Sequence, residues 1–474
     1  MLGPAGAVVV LLLLLALVAR PGSFVVSVGE PPAPAPATED AGPAAGPSSP
    51  AAGGQAAPPR EDPEPAEPAP GVEALATLAD FLLQRDASVL SGDAVAWTAS
   101  SADPSDAAVP DGSFTVLRSL PLTRFESSVV ADTLRPVEAP VAGEDWQARV
   151  ETLYAVAAAT PVVRTDTVLL DAPVDGLGWR VVSWTPYPSL GEIGTAAPWD
   201  LGEVHTLVGE RGVVLAWADP TTPDDGSLPS QRLQDAQAWG GRVATWVERG
   251  AVVVDSYLGT GWPRTTLVLA PATTGQHDAL VPGPVPERPD VFAAVTTDVQ
   301  TPDGVGDLVV LNPTARSDLV EETWQVTVTH ELVHVASGAR YGDGQEVWLA
   351  EGLADLVGWS TVVPASVGRE DVAGRLLERV AAGSADVQDL PDADDFTASD
   401  TEVVGDAYEG AWLAALLLQD ELGVDALLAL YEAASEGPGP ARQRTDAALR
   451  EATGDGREAF RTRWTAYVTS LAAA

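Results

Sequence analysis

The chain has 474 residues and a formal net charge of -42, from 68 acidic against 26 basic residues, every one of the latter an arginine. So large and dispersed an acid surplus excludes a nucleic-acid partner, which needs clustered Lys and Arg against phosphate, and reads as a solvated acidic surface. With no cysteine there is no disulfide, no thiolate metal ligand, no thiol nucleophile and no cysteine to carry a lipid.

Residues 5–19 are continuously apolar. Their length suits the h-region of a signal peptide, and residues 24–28 can extend it toward a tilted span. The expectation for residues 1–29 is a signal peptide or a membrane anchor. It would attach the chain to a membrane by this one N-terminal segment, with the catalytic domain extracytoplasmic, or send it out as a secreted protein. Residues 30–70 collapse to Pro, Ala, Gly, Ser and acids, which is the composition of a disordered linker.

A first folded unit is expected over residues 71–190. Val72, Leu75, Leu78, Phe81 and Leu82 recur at helical spacing. A second short helical stretch spans residues 88–98. Strands follow at 129–137, 146–158, 165–170 and 179–185, separated by Pro, Gly and Asp turns. Helices first and strands afterwards predict an α+β fold. The segments Val89-Leu90-Ser91-Gly92-Asp93-Ala94-Val95-Ala96-Trp97 and Gly178-Trp179-Arg180-Val181-Val182-Ser183-Trp184 resemble the opening and the last strand of cone-shaped nuclear-transport-factor-like (cystatin-like) modules. The resemblance implies a cone that encloses a ligand or mediates contacts; no catalytic constellation is visible in it.

The second unit is expected over residues 198–474, with Trp199-Asp200-Leu201-Gly202 at the boundary. Residues 204–217 read as a hairpin, 231–248 as a helix, and 265–270, 293–297 and 306–312 as strands. Helices then dominate: 318–337, 346–360, 369–382, 405–422, 424–435 and 445 to the end. A small sheet followed by helices is again α+β. The acid-rich run at 386–402 lacks the spacing of the standard calcium loop and reads as a solvated loop.

His330-Glu331-Leu332-Val333-His334 lies on the expected helix 318–337. Spacing i, i+4 puts both imidazoles on one face, converging on one point. Glu331 is turned by about 100° and can reach the rim of the same site. Two neutral imidazoles suit Zn²⁺, and a catalytic zinc takes three protein ligands and a water, which an adjacent Glu can deprotonate. The whole chain holds only four His, so composition alone does not produce this pairing. One zinc ion per chain is expected, with Glu331 as general base.

The next helical segment, Val347-Trp348-Leu349-Ala350-Glu351-Gly352-Leu353-Ala354-Asp355, resembles the gluzincin metallopeptidases, the thermolysin-like clan. There a second helix supplies a Glu ligand in a Trp-Leu-x-Glu-Gly-Leu/Phe-Ala context. The resemblance implies that Glu351 is the third zinc ligand. The connection from His334 is shorter than in the best-known members. It further implies that Asp355, one helical turn on, accepts a hydrogen bond from His330. A Tyr from a later helix would stabilise the oxyanion, and Tyr408 is the best placed; Tyr431 sits inside an apolar helix and reads as core. The strand carrying Leu308, Val309, Val310 and Leu311 would be the edge strand that pairs with extended substrate.

The whole chain also resembles exported bacterial proteins that join a cone-like module to such a peptidase. The expected function is an exported zinc-dependent peptidase with a peptide or protein substrate. Two alternatives stand beside it: a catalytically silent, zinc-bearing binding protein of the cell envelope, and a hydrolase of a non-peptide amide. Retention of Glu331 speaks against the first, because binding zinc requires only the ligands.

Overall fold

The computed structural model describes residues 70–474 except 101–110, 138–144, 172–179, 187–195, 224–225, 227–228, 264, 282–292, 303, 339–344 and 363–371. The leader or anchor expected at 1–29, and all of the expected linker but Pro70, lie outside the described residues. Among the described residues no helix is long and apolar enough to cross a membrane. The expectation of a cell-membrane protein held by a single N-terminal anchor is corrected to that extent: nothing among the described residues supports it.

The fold is α+β. Helix α1 (Pro70–Ser91) turns at Gly92 into α2 (Ala94–Ser100), whose first N–H groups at Val95 and Ala96 are taken by the Asp93 carboxylate. The helical stretch expected at 88–98 is therefore divided between these two. Helix α3 (Asp111–Ser119) was not expected. Strands β1 (Leu122–Val129), β2 (Arg135–Pro136), β3 (Trp146–Val156), β4 (Val162–Asp171) and β5 (Arg180–Pro186) form an antiparallel sheet in the order β1-β3-β4-β5, with β2 beside β3. Of the strand expected at 129–137, only Val129, the last residue of β1, and Arg135–Pro136, which is β2, are strand. Between its apolar ends, Leu122 and Val129, β1 is polar except for fully buried Phe125, so its alternation is faint in sequence. Residues 130–134 turn instead, with Asp132 at φ 61.

The second sheet takes β6 (Val204–Val208), β7 (Gly212–Trp217), β8 (Thr266–Ala270), β9 (Ala294–Thr301) and β10 (Gly304–Leu311) in the order β6-β7-β8-β10-β9. β7, β8 and β10 run parallel; β6 and β9 run antiparallel at the two sides. β7 and β8 are buried at every position, as parallel strands covered on both faces must be. The expected substrate edge is therefore corrected. Leu308, Val309, Val310 and Leu311 lie in β10, between β8 and β9, and none is more than 5% exposed. The outer strand on that side is β9, and β4 of the first sheet packs near it.

Helix α4 (Gln231–Leu258) crosses this sheet and continues past its expected end. Gly250 does not stop it, because that glycine is where α4 lies against the helix bearing the His pair: a Cβ there would sit 2.7 Å from Thr329 Oγ1. The remaining helices are α5 (Thr274–Leu280), α6 (Glu321–Ser337), α7 (Val347–Trp359), α8 (Gly374–Ala381), α9 (Ala393–Phe396), α10 (Thr401–Leu422), α11 (Val424–Ser435), α12 (Ala441–Thr453) and α13 (Arg457–Ala472). The last two replace one expected helix, divided at Gly454 with its φ of 81.

The expected boundary at Trp199 is packed rather than open. Its ring meets Phe125 and Tyr154 edge-on, at 5.5 and 4.9 Å, and Arg164 of β4 pairs with both Asp166 and Asp200. Phe125 and Tyr154 share one core with Leu215 of β7 and Val310 of β10.

Helices α7 and α10 cross at Gly352, where a Cβ would lie 2.4 Å from the Ala411 carbonyl oxygen. Backbone cannot yield as a side chain does. Gly352→Ala is expected to destabilise by about 1–3 kcal/mol, lowering the melting temperature by several degrees. A variant melting with the wild type would contradict so close a crossing.

Candidate metal centre

The site is built on α6 and α7. Val326, Thr327, Val328 and Thr329 give α6 a β-branched run of modest helix propensity, so its stability comes from tertiary burial. Every residue from Thr323 to Val335 is buried, and so is every residue from Trp348 to Gly358 of α7. A helix buried on all sides carries no strong amphipathic stripe. Gly338, in the left-handed region, ends α6 and donates its N–H to the His334 carbonyl.

This packing brings His330, His334 and Glu351 together, with one ligand atom from each inside 4.8 Å of the others. The two Nε2 atoms are 3.0 Å apart. His330 Nε2 lies 3.1 Å from Glu351 Oε2, and His334 Nε2 lies 3.6 Å from Glu351 Oε1. None of the three is more than 1% exposed. Bonds of about 2.0–2.1 Å at tetrahedral angles keep ligand atoms about 3.3 Å apart, so these separations fit a single ion. The charges fit too. Glu331, Glu351 and Asp355 are three carboxylates, each at most 3% exposed, around two imidazoles. Buried charge is costly unless compensated, and a divalent cation compensates it. The group can hold a metal ion.

No family model matches this chain, and no curated protein does.

Asp355 Oδ1 lies 2.8 Å from His330 Nδ1. A carboxylate there accepts a hydrogen bond from Nδ1–H, which leaves the Nε2 lone pair for the cluster. Burial disfavours the imidazolium of His330, but Asp355, through its charge and hydrogen bond, and then Glu351 outweigh it and raise the pKa well above the imidazole range. Burial likewise opposes the charge on Glu351, yet His334 and His330 hold its carboxyl down at about 2. Removing the outer partner should loosen the ion: Asp355→Ala is expected to lower metal affinity by about 10–100-fold. A competitive chelator titration checks this, and unchanged affinity would contradict the role of Asp355.

Glu331 faces the same cluster. Burial raises its pKa, while His330, His334 and the Thr296 hydroxyl pull it down. Thr296 Oγ1, from β9, donates to Glu331 Oε2 at 2.7 Å and approaches the Glu331 carbonyl at 3.2 Å. Glu331 Oε1 is buried with no hydrogen-bond partner among the described residues. Thr296 carries no signal in the sequence; it is one of three threonines in a short strand.

Both tyrosines lie near the cluster. The Tyr408 ring centroid is 6.3 Å from that of His330, and Phe396 meets Tyr408 edge-on at 4.9 Å. Tyr431 is buried in the core, as expected, but it also donates its hydroxyl to Ser337 Oγ at 3.2 Å. Burial and the nearby Glu351 charge raise its pKa. The two other histidines, His205 and His277, do not join the cluster.

Glu409, beside Tyr408 on α10, is a further buried carboxyl at 2% exposure. It accepts the Leu376 N–H at 2.6 Å in the first turn of α8, with Arg375 Nε at 3.8 Å. Burial still pushes its pKa from 4.5 up to about 7. The folded chain therefore holds this proton to higher pH than the unfolded chain does. The resulting stability is full below about pH 4.5, falls as pH rises toward about 7, and is flat above. The loss amounts to about 3 kcal/mol. Glu409→Gln is expected to gain in melting temperature relative to the wild type between pH 4.5 and pH 8. A difference that stays constant with pH would contradict the shift.

Proposed function

We propose that this chain is a zinc-dependent peptidase. The observation that carries the reading is the convergence of His330, His334 and Glu351 on one point, with the Glu331 carboxylate beside them. Two imidazoles and one carboxylate form the ligand set of a catalytic zinc that keeps a position open. Zinc bound there would supply a Lewis acid and bring a water into the neutral pKa range.

The chain's own residues do the rest. Glu331 takes the proton of the attacking water and returns it to the departing amine. Asp355 keeps His330 in the tautomer that offers Nε2. Tyr408, on the His330 side, is the proposed donor to the oxyanion. The resemblance of the Glu351 segment to gluzincins supports the same assignment.

The test is hydrolysis itself. The zinc-loaded full chain is incubated with a broad peptide library in water enriched in oxygen-18, and new carboxyl termini are read by mass spectrometry. The expected result is new termini carrying one labelled oxygen from solvent. Bound zinc with no new termini overturns the peptidase reading and favours the silent binding protein.

A further inference from the structure

Glu331 is held from outside its own helix. Thr296 lies on β9, one of the two outer strands of the second sheet, and reaches across to α6. Its hydroxyl donates to Glu331 Oε2 at 2.7 Å, while Oε1 has no hydrogen-bond partner among the described residues. One oxygen of the carboxylate is thus occupied and the other is open. A carboxylate on a side chain with several rotatable bonds does not keep one orientation unless something fixes it. The Thr296 hydroxyl also lies 3.2 Å from the Glu331 carbonyl, so the strand touches both the helix backbone and the head of the side chain.

We infer that Thr296 is a positioning residue, which clamps Oε2 of Glu331 and leaves Oε1 as the oxygen that exchanges the proton. This rests on the reading of Glu331 as general base. It adds a residue from the sheet to a site otherwise built from helices. The sheet edge and the base are then mechanically joined: displacement of β9 displaces the base.

Thr296→Val keeps the shape and removes the hydroxyl; Thr296→Ser keeps the hydroxyl. In the zinc-loaded full chain, Thr296→Val is expected to lower kcat by about 10–100-fold, the cost of a misplaced group. KM should stay within about twofold and zinc content should be unchanged. Thr296→Ser should stay within about threefold of the wild type in kcat. A second readout needs no activity. Beside Glu331, Thr296→Val should lower the melting temperature by about 2–5 °C, because a buried carboxylate loses its partner. In a Glu331→Met background the same substitution should leave it unchanged or raise it, since both partners are then apolar.

Equal losses in the two backgrounds overturn the clamp. So does a Thr296→Val enzyme with wild-type kcat alongside an inactive Glu331→Gln. If Glu331→Gln itself turns over like the wild type, the base reading fails, and the melting cycle still reports on the contact alone.

Discussion

Replacing Glu331 with Gln is expected to lower kcat by about 10²–10⁴-fold while the metal stays bound. The amide has nearly the shape of the carboxylate and can still accept the Thr296 hydroxyl, so the packing at 1% exposure is preserved. What is lost is the ability to take a proton. The residues proposed to hold the metal are His330, His334 and Glu351, so zinc content should match the wild type. The combination matters more than either half. A drop in kcat with a matching loss of zinc would mean that Glu331 holds the ion. Full activity with zinc retained would mean that the proton goes elsewhere.

The second large effect is on stability. Removing the ion leaves Glu331, Glu351 and Asp355 buried around two imidazoles, with no cation to offset them. A ligand that binds only the folded state at a thousandfold excess over its Kd stabilises by about 4 kcal/mol. For a domain of this size that is roughly 10 °C in melting temperature. Stripping the chain with a strong chelator is therefore expected to lower its melting temperature by roughly that amount, and zinc added back should restore it. A melting curve indifferent to chelator and to zinc would contradict an ion among these residues.

The parts of this site that could be read from sequence are those that depend on local spacing. His330 and His334 share a face because a helix repeats every 3.6 residues. Glu351 and Asp355 are one turn apart for the same reason. Helix α11 begins and ends where its apolar pattern does. The parts that could not be read depend on strand order and on packing between elements distant in sequence. Thr296 meets Glu331 only because β9 pairs with β10 in one register and α6 lies across both.

The position of β10 is a middle case. Its run Leu308-Val309-Val310-Leu311 is continuously apolar, which is the mark of a strand covered on both faces and argues against an edge. That signal was present and points away from the substrate role expected for it. Strand β1 carried no comparable pattern, because its core contact rests mainly on Phe125, whereas the short helix α3 has its apolar residues, Phe114, Val116 and Leu117, within a single turn.

The most direct measurement is the metal content of the purified full chain, taken by elemental mass spectrometry alongside that of His334→Ala. The expected result is about one zinc per wild-type chain and little or none in the variant. Wild-type chain with no metal after exposure to zinc, or a His334→Ala chain that keeps a full equivalent, would contradict the centre formed by His330, His334 and Glu351.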